Sequence, residues 1–115
     1  MTSSGTPFCP QVASVGMTEA EALASAREVV VASRAYSATA YGWALEDTTS
    51  FVKVIADAHD RTILGAHVIG PDAALLLQPL LQAMMLGQTA DQLAYDVLYI
   101  HPALTEVVEQ ALLEL

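Results

Sequence analysis

The order of hydrophobic periods along the chain predicts an α+β fold, an antiparallel sheet covered by helices. Three observations carry this. Two apolar runs, Phe51 to Ala56 and Ile63 to Ile69, flank a stretch of turn composition from Asp57 to Arg61 and read as an antiparallel hairpin. After Gly70 the apolar spacing changes from strand-like to helical. The closing stretch then sets Leu104, Val107, Val108, Ala111, Leu112 and Leu115 on one helical stripe. Glu106, Glu109, Gln110 and Glu114 lie opposite, with Leu113 among them.

The elements follow in order. Residues 1–7 are small and polar and read as a loose lead-in, leaving residues 8–115 as one domain. Val12 to Val15 is a strand stopped by Gly16. Thr18-Glu19-Ala20-Glu21 has the form of a capping box, in which the threonine hydroxyl and the glutamate carboxylate each take one unpaired amide. It opens a short helix to about Ala26. Val29-Val30-Val31 begins a β-prone stretch that runs to about Tyr41. Both hairpin strands are apolar almost throughout, which predicts burial on both faces, by helices or by a partner. Pro71 suits the first turn of the next helix, which runs towards Leu86 with Gly87 as its C′ residue. Pro79 inside it removes a backbone hydrogen bond and predicts a kink. Thr89-Ala90-Asp91-Gln92 is a second capping box, opening a helix to about Tyr95.

The chain has 115 residues, the length of one ordinary domain, and 54% of them are hydrophobic. That is much apolar surface for one small core. It points to a face buried against a partner or another domain, the alternative being a tightly packed, alanine-rich monomer. The net charge is −9, and the four basic residues, Arg27, Arg34, Lys53 and Arg61, do not cluster. Nucleic acid and anionic membrane surfaces both require a basic patch, so neither is an expected partner. The longest apolar stretch, Ala73 to Leu86, is interrupted by Gln78, Pro79 and Gln82, and the first residues lack the pattern of a secretory signal. Cys9 is the one cysteine, so no internal disulfide can form, which fits a cytoplasmic location.

Chemistry is concentrated in His101-Pro102-Ala103-Leu104-Thr105-Glu106. His101 stands just before the last helix and Glu106 in its first turns. A carboxylate there can receive one ring N–H, fix the tautomer and leave the other nitrogen to move a proton. On spacing alone the alternative stays open, namely a loop histidine beside a glutamate that merely suits the helix dipole. Cys9 has no second thiol, and no G-x-G-x-x-G turn is present to cradle a dinucleotide. His59 and His67, with Asp57 and Asp60, lack a recognised ligand spacing, so no metal site is expected.

Three segments also carry a family resemblance. Pro10-Gln11-Val12-Ala13-Ser14-Val15-Gly16-Met17-Thr18-Glu19-Ala20-Glu21-Ala22 resembles the opening of the C-terminal dimerisation domain of the pyridine nucleotide–disulfide oxidoreductases. Phe51-Val52-Lys53-Val54 with Ile63-Leu64-Gly65-Ala66-His67-Val68-Ile69-Gly70 resembles its central hairpin, and His101-Pro102 with Glu106 its closing signature. Tyr41-Gly42-Trp43-Ala44, His101-Pro102-Ala103-Leu104 and Glu106-Val107-Val108-Glu109 are most similar to the mycothione reductase branch.

The resemblance implies a homodimer in which this domain forms much of the interface. It implies that His101, oriented by Glu106, reaches into the partner subunit's active site and moves protons at a redox dithiol. It also implies a cis bond before Pro102. FAD and NADPH belong to the full-length family, and no residue here is expected to bind either. Pro7-Phe8-Cys9-Pro10 and Ala103 depart from the usual pattern. The flavin domain, the nicotinamide domain and the dithiol lie outside these residues, so the chain alone is expected to be inactive. A C-terminal subunit of a split reductase, or a standalone interaction module without catalysis, are the alternatives.

Overall fold

The computed structural model describes residues 11–115. The lead-in over residues 1–7 and Cys9 fall outside the described residues. Four strands, β1 (Val12–Gly16), β2 (Val29–Ala35), β3 (Phe51–Asp57) and β4 (Ile63–Ile69), form an antiparallel sheet in the order β1-β4-β3-β2. Five helices accompany it: α1 (Glu19–Ala24), α2 (Ala40–Ala44), α3 (Ala73–Met85), α4 (Ala90–Tyr95) and α5 (Glu106–Leu113).

The β3–β4 hairpin is closed by Asp57. Its Oδ1 accepts the amides of His59 at 2.8 Å and Asp60 at 3.1 Å, and its Oδ2 takes Arg27 Nη1 at 3.2 Å. These two amides and then Arg27 hold the Asp57 carboxyl below the usual carboxylate range. The turn runs on through Arg61 at φ 65°.

One face of the sheet carries Val52, Val54, Ala56, Ala66 and Val68, all fully buried. Against it α3 contributes Leu76, Leu77 and Leu80, and α5 contributes Val107, Val108, Ala111 and Leu112. Each large side chain buried here adds about 1.5–3 kcal/mol of hydrophobic stabilisation.

Helices of the same chain cover the opposite face only in part. The short α1 is pinned over part of it, by Lys53 Nζ to Glu19 Oε1 at 2.7 Å and by His67 Nε2 to the Met17 carbonyl at 2.8 Å. Ile55 and Ala22 are fully buried, but Phe51 and Ile69 are only half-buried and Val12 is 67% exposed. A six-residue helix is too short to cover four strands.

The β-prone stretch ends at Ala35, six residues before Tyr41. A 3₁₀ turn over Tyr36–Ala38 and then α2 replace the expected strand. Thr39 makes the switch: its hydroxyl donates to the Tyr36 carbonyl at 2.8 Å and accepts the Gly42 amide at 3.0 Å, which caps α2. Tyr36 turns inward, and its hydroxyl donates to the Pro71 carbonyl at 2.8 Å.

Both capping boxes form, at Thr18/Glu21 and Thr89/Gln92. The first helix stops at Ala24, where the Ser25 hydroxyl and amide both donate to the Ala22 carbonyl. Pro71 falls in the turn before α3 rather than in its first turn, and Asp72 enters the helix from the left-handed region at φ 59°. Pro79 lies within α3 without ending it. The helix closes in a Schellman motif: Gly87 at φ 71° donates to Met84, and Gln88 donates to Ala83.

All four basic residues are engaged by carboxylates of the same chain: Arg27 by Asp57, Arg34 by Glu114, Lys53 by Glu19 and Arg61 by Asp91. Arg34 also donates to Gln110 at 3.0 Å, which ties the outer strand β2 to α5.

Candidate functional site

Residues 96–105 connect α4 to α5 and carry His101 on the surface. The His101–Pro102 peptide bond is cis. His101 Nδ1 lies 2.8 Å from Oε1 and 2.9 Å from Oε2 of Glu106, at the start of α5. An ionised carboxylate only accepts, so the ring proton sits on Nδ1. That leaves Nε2 as the working nitrogen, with no protein partner among the described residues. The two side chains differ in exposure: the imidazole is 69% exposed and the carboxylate 16%.

Glu106 is itself held in place. The Ala103 amide donates to its Oε1 at 3.1 Å, so one carboxylate braces both the histidine and the backbone beyond the proline. The hydrogen bond from His101, then that from Ala103, hold the Glu106 carboxyl below the ordinary glutamate value against the opposing cost of burial. The arrangement is a solvent-facing imidazole with a fixed tautomer and an anionic brace, equipped to take a proton at Nε2 and give it back.

The chain leading to His101 is apolar and exposed. Tyr95, Val97, Leu98 and Ile100 are 70%, 43%, 95% and 73% exposed. The exception is Tyr99, whose hydroxyl donates to the Leu93 carbonyl at 3.0 Å. Neither this tie nor the Ala103 amide can be read from the sequence, because both depend on how residues 96–105 fold back between two helices.

The other histidines are separate from this pair and from each other. His59 Nε2 lies 3.3 Å from Glu28 on the surface, and His67 holds α1 to the sheet. Among the described residues no group of three or more His, Cys, Asp or Glu could hold a metal.

Nor is the turn from β4 to α3 open in the way a phosphate cradle is. A phosphate cradle needs a glycine turn left open to the ligand between a strand and a helix. Here the turn from β4 to α3 has Gly70 packed against Ser50 and Tyr36, and Gly16 and Gly65 face backbone of their own chain. Among the described residues no helix is long and apolar enough to cross a membrane.

The comparisons identify the class of domain to which this helix-backed antiparallel sheet belongs. The family profile for the pyridine nucleotide-disulphide oxidoreductase dimerisation domain matches residues 3–112. The chain therefore belongs to the pyridine nucleotide-disulphide oxidoreductase dimerisation-domain family. It is 49% identical over 106 residues to mycothione reductase of Mycobacterium tuberculosis, covering 92% of this chain. It is 39% identical over 107 residues to dihydrolipoyl dehydrogenase of Corynebacterium glutamicum, covering 90% of this chain. In each case it spans 23% of the relative's length.

Among solved structures, LpdA of Mycobacterium tuberculosis superposes with a TM-score of 0.84 over 91% of this chain and 23% of that one. The flavoprotein disulfide reductase RclA of Escherichia coli gives 0.82 over 90% of this chain and 23% of that one. At 23% identity both show the fold alone.

Proposed function

We propose that this chain is the homodimerisation domain of a cytoplasmic, mycothione reductase-like disulfide reductase, and that it lends His101 and Glu106 to the active site of the partner subunit. The observation that carries the reading is the His101 imidazole, fixed through Nδ1 and offering Nε2 outward. A histidine that reacted only within its own fold would have no reason to stand on an exposed apolar tract.

In such a reductase FAD and NADPH, held by the remainder of the polypeptide, supply the reducing electrons. The residues of this chain handle protons. Nε2 takes the proton of a thiol as it becomes a thiolate, and the Glu106 carboxylate stabilises the imidazolium so formed. The same nitrogen returns the proton to the thiolate that leaves when the substrate disulfide opens. Mycothiol disulfide is the substrate class that the 49% identity favours.

The landing place of the second subunit on this reading is α3. The outer stripe of α3 is Leu75, Gln78, Gln82 and Met85, continued by Leu86, and the helix has no charged residue along its thirteen positions. Two chains of charge −9 can approach with least repulsion through such an uncharged apolar stripe.

The test is a reductase containing this domain and carrying His101→Ala. Turnover of the disulfide should fall about 10²–10⁴-fold, while reduction of the flavin by NADPH keeps its rate. Disulfide turnover equal to the parent enzyme would end the acid–base reading.

A further inference from the structure

From residue 95 to residue 102 every side chain is exposed except that of Tyr99. Leu98 and Ile100, on either side of it, are 95% and 73% exposed among the described residues. The segment that carries His101 therefore has one inward anchor on its α4 side. The anchor's partner, the Leu93 carbonyl, belongs to the last turn of α4, where carbonyls lack helical partners and a hydrogen-bond donor is needed.

We propose that Tyr99 is a positioning residue for the His101–Glu106 pair, acting through the hydrogen bond from its hydroxyl to the Leu93 carbonyl. The segment is held at two ends: Tyr99 fixes it to the end of α4, and Glu106 with the Ala103 amide fixes it to the start of α5. His101 sits between these clamps, two residues from the first. Without the first clamp the imidazole loses its aim and spends less of its time on the Glu106 carboxylate.

The phenol suits the task. Burial, with the nearby Glu109 carboxylate, pushes its pKa up to about 12, so it remains a donor throughout the range in which a histidine titrates. For its consequence in catalysis the proposal rests on the acid–base reading of His101. Its test does not.

The test is a carbon-13 NMR titration of the Glu106 carboxyl in the purified chain, compared with Tyr99→Phe, which keeps the ring and removes the hydroxyl. His101→Ala marks the end point, with the imidazole's hold on Glu106 gone. In Tyr99→Phe the Glu106 midpoint should rise from its lowered position part of the way to that end point, while the chain still unfolds cooperatively. A midpoint unchanged from the parent chain overturns the proposal, because a tyrosine that only supports the fold would lower thermal stability and leave the carboxyl alone. If Tyr99→Phe does not fold, Tyr99→Leu is read by the same two outcomes. A reductase with His101→Ala that turned over normally would sink the catalytic reading without touching this titration, so the two failures are distinguishable.

Discussion

Met85→Glu places a charge at the C-terminal end of the uncharged α3 stripe and should break the proposed homodimer without harming the fold. Met85 is 78% exposed in the single chain, with Leu75 at 70% and Leu86 at 65%. Complete burial of such a side chain gives about 1.5–3 kcal/mol relative to leaving it in water. With roughly two-thirds to three-quarters of that still available, each has about 1–2 kcal/mol to give on association. In a two-fold interface every residue acts twice, so losing Met85 removes about 2–4 kcal/mol. That corresponds to a dissociation constant raised about 30- to 1,000-fold, before the cost of burying two carboxylates.

Light scattering behind size-exclusion chromatography, across a dilution series, reads this directly. The parent chain should pass from dimer to monomer on dilution, and the variant should stay monomeric at concentrations where the parent is dimeric. Its unfolding temperature, taken where both are monomers, should match the parent. A variant that dimerises as tightly as the parent would refute the assignment of α3 to the interface. A parent chain that stays monomeric at every concentration would refute dimerisation by this domain alone.

Two further outcomes concern stability. Leu80→Ala, at a fully buried position where α3 meets the sheet, should cost about 2–5 kcal/mol, read as a lower urea midpoint with an unchanged slope. Acid should weaken the fold through Glu106 and Asp57, whose folded values are lowered by His101 and Ala103 in one case and by His59, Asp60 and Arg27 in the other. A lowered carboxyl contributes its full stabilisation above its unfolded value of about 4 and loses it as pH falls through the folded value, so the urea midpoint should drop as pH falls below about 4, and less steeply in Asp57→Asn.

Much of this fold is written in local signals. Thr18 with Glu21, and Thr89 with Gln92, announce their helices because each box is completed within four residues. The turn from Asp57 to Arg61 announces the hairpin because a single aspartate can take two of its amides. The stripe on α5 is legible because its five inward positions from Leu104 to Leu112 are all buried. The stretch from Tyr36 to Tyr41 misleads because valine-rich β propensity runs straight into it, and what ends the strand is Thr39, whose hydroxyl serves two partners that no propensity scale contains.

The second face of the sheet is legible only in part. Apolar composition says that a surface wants cover, and only the fold shows how little of it α1 supplies. At the site, the spacing of His101 and Glu106 is enough to propose their contact. Tyr99 looks like one more aromatic in an apolar run until the direction of its hydroxyl is known.

Among the described residues, the bonds that aim the His101 imidazole all close between Leu93 and Glu106. The histidine–glutamate pair is thus a prefabricated part. It is assembled by one short loop and the two helix ends beside it, and it borrows nothing from the sheet or from the distant α2. On the acid–base reading proposed above, two subunits that meet would not need to rearrange it, and docking would have only to set the gap between Nε2 and the sulfur opposite. Drift elsewhere in the domain would change that gap, not the pair.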